Sequence, residues 1–235
     1  MRAVLVTGAG RGLGAAVAAG LAEAGYAVVL ADVDGGAAAR EASSLAGASA
    51  ISLDVRSPQG WQAAVTALEA AGEPWGLVSC AARTVVRDLF AITPEEWDDV
   101  LAVNLRGPFL GIQAVGPVLA RGGGRIVNVS SDSAFKGRGV TGAHYASSKA
   151  GLLTLTLRAA AALAANGVTV NALAPGTIDG PSVRELSDPV AEAAAVPTGR
   201  LVDPAGLASL VAWLLSDAAA DVTGSVLRVD GGAAL

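Results

Sequence analysis

Cysteine, histidine and aromatic residues are scarce in this chain. Cys80 is its single cysteine and His144 its single histidine, which excludes an intramolecular disulfide, a metal site of clustered cysteines and a multi-histidine site. Aromatics make up 4% of the 235 residues, against 52% hydrophobic. A core of Ala, Val and Leu suits thin helices packed on a buried parallel sheet better than an aromatic-rich sandwich. The net charge is −5, with no long run of either sign, which speaks against a basic nucleic-acid face or an acidic disordered tail. No apolar run is long enough to span a bilayer, and a strand already begins at Arg2, leaving no room for a signal peptide. The expectation is a soluble, cytoplasmic protein with no membrane or nucleic-acid partner, folded as one domain over residues 1–235.

What is present is a regular alternation of strands and helices. Arg2 to Val6 reads as a strand, and Thr7-Gly8-Ala9-Gly10-Arg11-Gly12-Leu13-Gly14 follows, leading into an Ala-rich helix from Ala15 to Ala24. Strand, glycine loop and helix form a phosphate-binding arrangement: glycine lets the backbone turn and approach a pyrophosphate, and the helix start offers amides to it. A second buried run, Tyr26 to Ala31, ends on Asp32, 18 residues beyond Gly14. A dinucleotide fold places an acid there to bind both adenosine ribose hydroxyls, and a 2′-phosphate would be repelled. Asp32 therefore argues for NAD over NADP. Arg11 pulls weakly the other way, and an acid at a strand end is also a common turn former.

Further strands are expected at Ile51–Val55, Gly76–Ala82, Gly124–Ser131, Val168–Leu173 and Val222–Asp230. Between them, Ser57-Pro58 and Thr93-Pro94-Glu95-Glu96 open helices. The second of these should continue through Asn104 towards Gln113, Tyr145 to Ala165 is a long helix stopped by Asn166-Gly167, and Pro204 to Leu215 is another. Residues 176–197 read as an irregular substrate loop. The fold class is α/β, a doubly wound, Rossmann-like parallel sheet of about seven strands with helices on both faces.

On the long helix, Tyr145 and Lys149 lie four residues apart on one face. A cation beside a phenol favours the phenolate, so the pair is suited to general acid–base work. Together with the Thr7–Gly14 loop, Asp32, Asp54-Val55, Asn104-Leu105, Ser131, Asn171, Pro175-Gly176 and Asp230-Gly231-Gly232, this order of motifs resembles the short-chain dehydrogenase/reductase family over essentially the whole chain. The resemblance implies that Tyr145 exchanges a proton with a substrate oxygen while hydride passes to or from nicotinamide. It further implies that Ser131 polarises that oxygen, that Lys149 acidifies Tyr145 and binds the nicotinamide ribose, and that Asn104 holds a water of the proton relay. Gly8, Arg11, Gly12, Leu13, Gly14, Asp32, Asp54, Val55, Ala81, Tyr145, Lys149, Pro175, Gly176, Thr177 and Ile178 are the expected cofactor contacts. No metal is expected.

Two stretches depart from the family pattern. Ser79-Cys80-Ala81-Ala82 stands where Asn-Asn-Ala-Gly is usual, and Gly180 stands where a threonine often holds the nicotinamide carboxamide, a task left to Thr177 or the backbone of Ile178. The chain is thus expected to be an NAD-dependent enzyme interconverting a small secondary alcohol and a ketone, in a homotetramer. The rivals are an NADPH-dependent 3-oxoacyl-carrier reductase and a non-catalytic dinucleotide sensor or scaffold. Arg83, Arg87, Lys136, Arg138 and Arg184 lie where they would attract an anionic substrate group or simply solvate the surface.

Overall fold

In the computed structural model, residues 1–137 and 141–235 are described; Arg138 lies outside them. The strands are β1 (Arg2–Thr7), β2 (Ala27–Asp32), β3 (Ser49–Ser52), β4 (Glu73–Ser79), β5 (Gly124–Val129), β6 (Val168–Pro175) and β7 (Val226–Val229). They form one parallel sheet in the order β3-β2-β1-β4-β5-β6-β7. The helices are α1 (Gly12–Glu23), α2 (Gly35–Ser43), α3 (Pro58–Ala71), α4 (Pro94–Leu101), α5 (Gly107–Leu119), α6 (Ala143–Leu163), α7 (Pro181–Leu186), α8 (Pro189–Ala194) and α9 (Pro204–Leu215). No described helix is long and apolar enough to cross a membrane.

Successive side chains of a strand point to opposite faces, and both faces of this sheet are apolar. Val4, Val6, Val28 and Leu30 pack with Val17 and Leu21 of α1 and with Leu207, Val211 and Leu214 of α9. Ala3, Leu5, Ala27 and Val29 point the other way, onto Trp61 and Leu68 of α3, Val115 and Leu119 of α5, and Ala159 and Ala160 of α6. Burial on both faces explains why the strand sequences are continuous apolar runs rather than alternating ones. The direction in which the chain crosses the sheet reverses between β1 and β4, and such a point leaves a crevice outside the strand ends.

Several helix starts follow the local chemistry. Ser57 Oγ accepts from the Gly60 amide at 3.0 Å and Thr93 Oγ1 from the Glu96 amide at 3.2 Å, with Pro58 and Pro94 at the first helical positions. Other boundaries differ from expectation. The third strand stops at Ser52, because Asp54 turns the chain by binding the Arg56 amide at 2.9 Å. The fourth and fifth stop at Ser79 and Val129, while the sixth runs on to Pro175. The last begins only at Val226, after Gly224 turns with φ 70°. The helix expected from Thr93 to Gln113 is interrupted by a π turn at Ala102–Arg106. Residues 176–197 are not irregular throughout, since α7 and α8 lie within them.

Candidate active site

The glycine loop folds back on the start of α1. Gly8 has φ 66°, and a Cβ there would stand 2.7 Å from the Cα of Ala81; only glycine suits such a position. A Cβ on Gly14 would collide with the Gly8 carbonyl oxygen. Arg11 precedes α1 without capping it through its side chain, so the first-turn amides remain available to an anion. Across the loop, Asp32 Oδ2 accepts from the Gly10 amide at 2.9 Å and Oδ1 from the Asp34 amide at 3.0 Å. Among the described residues Asp32 has no ion-pair partner within 4.0 Å. Its carboxylate is a fixed, uncompensated negative charge.

Asp54 is more heavily committed. Arg56 binds both of its oxygens at 2.8 to 3.1 Å, and those hydrogen bonds hold its carboxyl below the usual range. Val55 is buried, and its carbonyl accepts from Trp61 Nε1 at 2.9 Å. At the family's Asn-Asn-Ala-Gly position the turn is closed by other means: the Ala81 amide donates to Thr7 Oγ1 at 3.3 Å, tying β4 to β1.

A cleft of about 500 Å³ opens at the carboxyl ends of β4, β5 and β6 and brings together Gly12, Leu13, Ser131, Tyr145, Lys149, Pro175, Gly176, Thr177 and Ile178. A wider groove of about 870 Å³ along α4 and α5 holds none of the expected site residues. Gly8, Gly14, Asp32, Asp54, Val55, Ala81 and Asn104 do not line the cleft. The long α6 is pinned to β5 by Ser130, whose Oγ donates to the Lys149 carbonyl at 2.8 Å. That contact fixes Ser131, the next residue, relative to Tyr145 and Lys149. Lys149 Nζ lies 5.7 Å from the Tyr145 ring centroid and donates to the Val129 carbonyl at 2.7 Å.

Burial dominates the protonation of this group. It pushes the Lys149 ammonium down to about 8 and the neighbouring Cys80 thiol up to about 12. It also pushes the Tyr145 phenol up, hydrogen bonds from Ser131 and Thr84 pull the other way, and the charge of Asp132 adds to the rise. Burial is the largest of these causes, and the Lys149 charge is not among them. Asn104 ties the loop after β4 to α6. It is fully buried in the π turn, its Oδ1 accepts from the Arg83 amide at 2.7 Å, and its Nδ2 donates to the Arg83 carbonyl at 3.0 Å and to Ser148 Oγ at 3.1 Å. Both amide hydrogens are committed, so the side chain clamps the loop after β4.

The remaining candidates are accounted for. Thr177 Oγ1 donates to Glu192 Oε2 at 3.3 Å, Ile178 bridges to Val202, and Gly180 faces open space. Arg83 pairs with Asp99 at 2.6 Å, Arg87 with Glu96 at 3.1 Å and Arg184 with Asp179 at 2.9 Å, while Lys136 pairs with Asp132. None of the four stands unpaired to meet an anion. His144 is buried with Nδ1 accepting from the Tyr145 amide at 3.0 Å. Sequence reasoning missed Asp132 in the cleft wall and did not single out Thr84, or Asp179 and Glu192 within the 176–197 loop. For Asp132 a signal existed: it directly follows Ser131 and stands four residues before Lys136.

Comparison with known proteins places this geometry among enzymes. The family model described as enoyl-(acyl carrier protein) reductase matches residues 8–234. The chain is 37% identical to the (3R)-3-hydroxyacyl-CoA dehydrogenase of Rattus norvegicus, over 97% of this chain and 94% of that one. It superposes on the Pseudomonas aeruginosa RhlG/NADP active-site complex with TM-score 0.93 and 31% identity, covering 100% of this chain and 96% of that one. A 3-oxoacyl-[acyl-carrier protein] reductase with bound NAD from Brucella melitensis gives TM-score 0.91 and 31% identity, with 100% and 91% covered.

Proposed function

Because the chain belongs to the short-chain dehydrogenase/reductase family and is an oxidoreductase of alcohol and ketone groups, we propose that it works with NAD, on a secondary alcohol held against Tyr145. The observation that carries the choice of cofactor is Asp32, a fixed anion on the rim of the glycine loop. It accepts hydrogen bonds from ribose hydroxyls and repels a 2′-phosphate. The glycine loop, into which side chains at Gly8 and Gly14 would not fit, suits a pyrophosphate at the start of α1. When bound there, a nicotinamide dinucleotide supplies or takes up the hydride.

The side chains do the rest. Tyr145 takes the proton that the alcohol oxygen loses, or returns it to a ketone oxygen, and Ser131 fixes that oxygen by hydrogen bonding. Lys149 holds the nicotinamide ribose and the proton path behind Tyr145. Asn104 acts through Arg83, by keeping the loop after β4 in place. The substrate is of the class named in the relatives, a 3-hydroxyacyl or 3-oxoacyl thioester. Residues 1–235 act as one catalytic domain with 176–197 as the substrate cover. The chain works in the cytoplasm as a homotetramer, for which Phe109 of α5 and Leu157 of α6, 44% and 49% exposed, supply apolar surface; a monomer in sedimentation contradicts that part.

The second reading, an NADPH-dependent 3-oxoacyl-carrier reductase, draws support from the NADP complex of a close structural neighbour. Titration of the purified protein with NADH and NADPH, followed by nicotinamide fluorescence, separates the two. Tighter NADH binding that relaxes in Asp32→Ala supports the first reading; tighter NADPH binding moves Arg11 to the foreground and favours the second. Failure to bind either leaves a non-catalytic role.

A further inference from the structure

Asp132 has no task in hydride transfer, yet its side chain is buried, 9% exposed, in the wall of the cleft, directly after Ser131. A buried carboxylate is unfavourable unless it is paired and hydrogen-bonded. Lys136 Nζ donates to Oδ2, and Ser131 Oγ donates to Oδ1 at 3.2 Å. One oxygen thus holds a cation and the other holds the serine hydroxyl. Ser131 Oγ also accepts from the Ser133 amide at 3.1 Å. A hydroxyl has one hydrogen and two lone pairs; Asp132 Oδ1 and the Tyr145 phenol compete for that hydrogen, and while Asp132 holds it, what Ser131 has left to offer the cleft is a lone pair.

A ketone oxygen needs a hydrogen from Ser131; an alcohol brings its own. We propose that Asp132, with Lys136 as its counter-ion, is a positioning residue that holds the Ser131 hydrogen and so favours bound alcohol over bound ketone. The proposal rests on the reading of Ser131 and Tyr145 as the pair that meets the substrate oxygen. It concerns the binding of the two substrates and leaves the overall equilibrium of the reaction unchanged. The Ser131–Asp132 contact is long against the usual O–H···O distance of about 2.7 to 2.8 Å, so the hydrogen passes to the substrate oxygen once negative charge develops there. Lys136 moderates the hold by drawing charge to Oδ2.

The same carboxylate acts on Tyr145 through its charge, opposing the phenolate. Other charged or titratable groups surround the cleft. Lys149 comes from α6, Cys80 from the end of β4, Glu192 from α8, and Asp179 from the segment before α7, while His144 of α6 is buried beside Tyr145. Arg228 and Asp230, paired at 3.0 Å, lie at the end of β7, next to Gly176 and near Asp132. All of these are unchanged in the variants that test the proposal.

The chain has two tyrosines, Tyr26 and Tyr145. In a Tyr26→Phe background, tyrosinate absorbance therefore titrates Tyr145 alone and needs no substrate, so it answers even if the proposed reaction is wrong. Asp132→Asn is expected to lower the midpoint by about 0.5 to 1 pH unit, and Lys136→Gln to raise it by a similar amount, the scale of one nearby partly screened charge. A structural role alone would move the unfolding midpoint and not produce opposite shifts. Coincident midpoints, shifts of the same sign, or no ionisation before unfolding in any of the three proteins overturn the proposal. As a second readout, Asp132→Asn is expected to lower KM for acetoacetyl-CoA several-fold relative to KM for 3-hydroxybutyryl-CoA. An unchanged ratio overturns the claim about Ser131, and if neither compound turns over, the titration decides.

Discussion

Lys149 carries an ammonium into a position only 2% exposed, and its pKa falls to about 8 as a result. In an unfolded chain lysine titrates near about 10.4. Below pH 8 both states hold the proton and the folded state bears the desolvation of the charge. Between about 8 and 10.4 the folded form gives up its proton first, so the unfolded chain binds more protons and stability rises with pH. Lys149→Met should therefore be more stable than the wild type at pH 7, by roughly 3 kcal/mol for a fall from about 10.4 to about 8, while losing turnover. The gap should close as pH rises towards 10, which urea unfolding at several pH values would reveal; a gap independent of pH would contradict it. Cys80 works in the opposite sense, because a thiol raised to about 12 keeps its proton in the folded state above the unfolded value. Because the two groups act on each other, the comparison is made in a Cys80→Ala background.

At the scale of elements, the π turn at Ala102–Arg106 places Asn104 where it can reach both the Arg83 backbone and Ser148. π turns occur mostly as single insertions in helices, often at functional sites. Asn104→Ala leaves the Arg83 amide and carbonyl without those partners, and chemical denaturation should show a loss of about 1 to 3 kcal/mol, with turnover reduced and NADH binding largely kept. Pro108 is the local signal for this turn, because it has no amide to give the Asn104 carbonyl four residues back. Elsewhere the local chemistry was legible: Ser57-Pro58 and Thr93-Pro94 begin helices as their residue types dictate, and α9 occupies Pro204–Leu215 as expected. The short α2 was not foreseen, because Gly35 and Gly36 at its start are poor helix formers and the Asp34 cap on the Ala37 amide is its main local signal. Within the site, the Tyr145–Lys149 spacing and the position of Ser131 could be read directly. The rise in the Tyr145 pKa and the burial of Asp132 could not, because both depend on how much protein packs around a group.

Over the whole molecule, two apolar layers grip a sheet buried on both faces, and the chain reversal between β1 and β4 leaves one edge open for a ligand. Asp32 lies beside the glycine loop, and Ser131, Tyr145 and Lys149 line the cleft at the carboxyl ends of β4, β5 and β6. The central consequence of the proposed function is that hydride transfer depends on Tyr145 as the proton exchanger, while cofactor binding does not. The most direct measurement is NADH formation from NAD and 3-hydroxybutyryl-CoA by the wild type and by Tyr145→Phe, with NADH affinity measured on both proteins. The expected result is a loss of turnover of about 100- to 10,000-fold in the variant, with NADH bound about as well as by the wild type. Turnover that survives Tyr145→Phe, or a wild type that binds NADH yet oxidises no secondary alcohol, would contradict it.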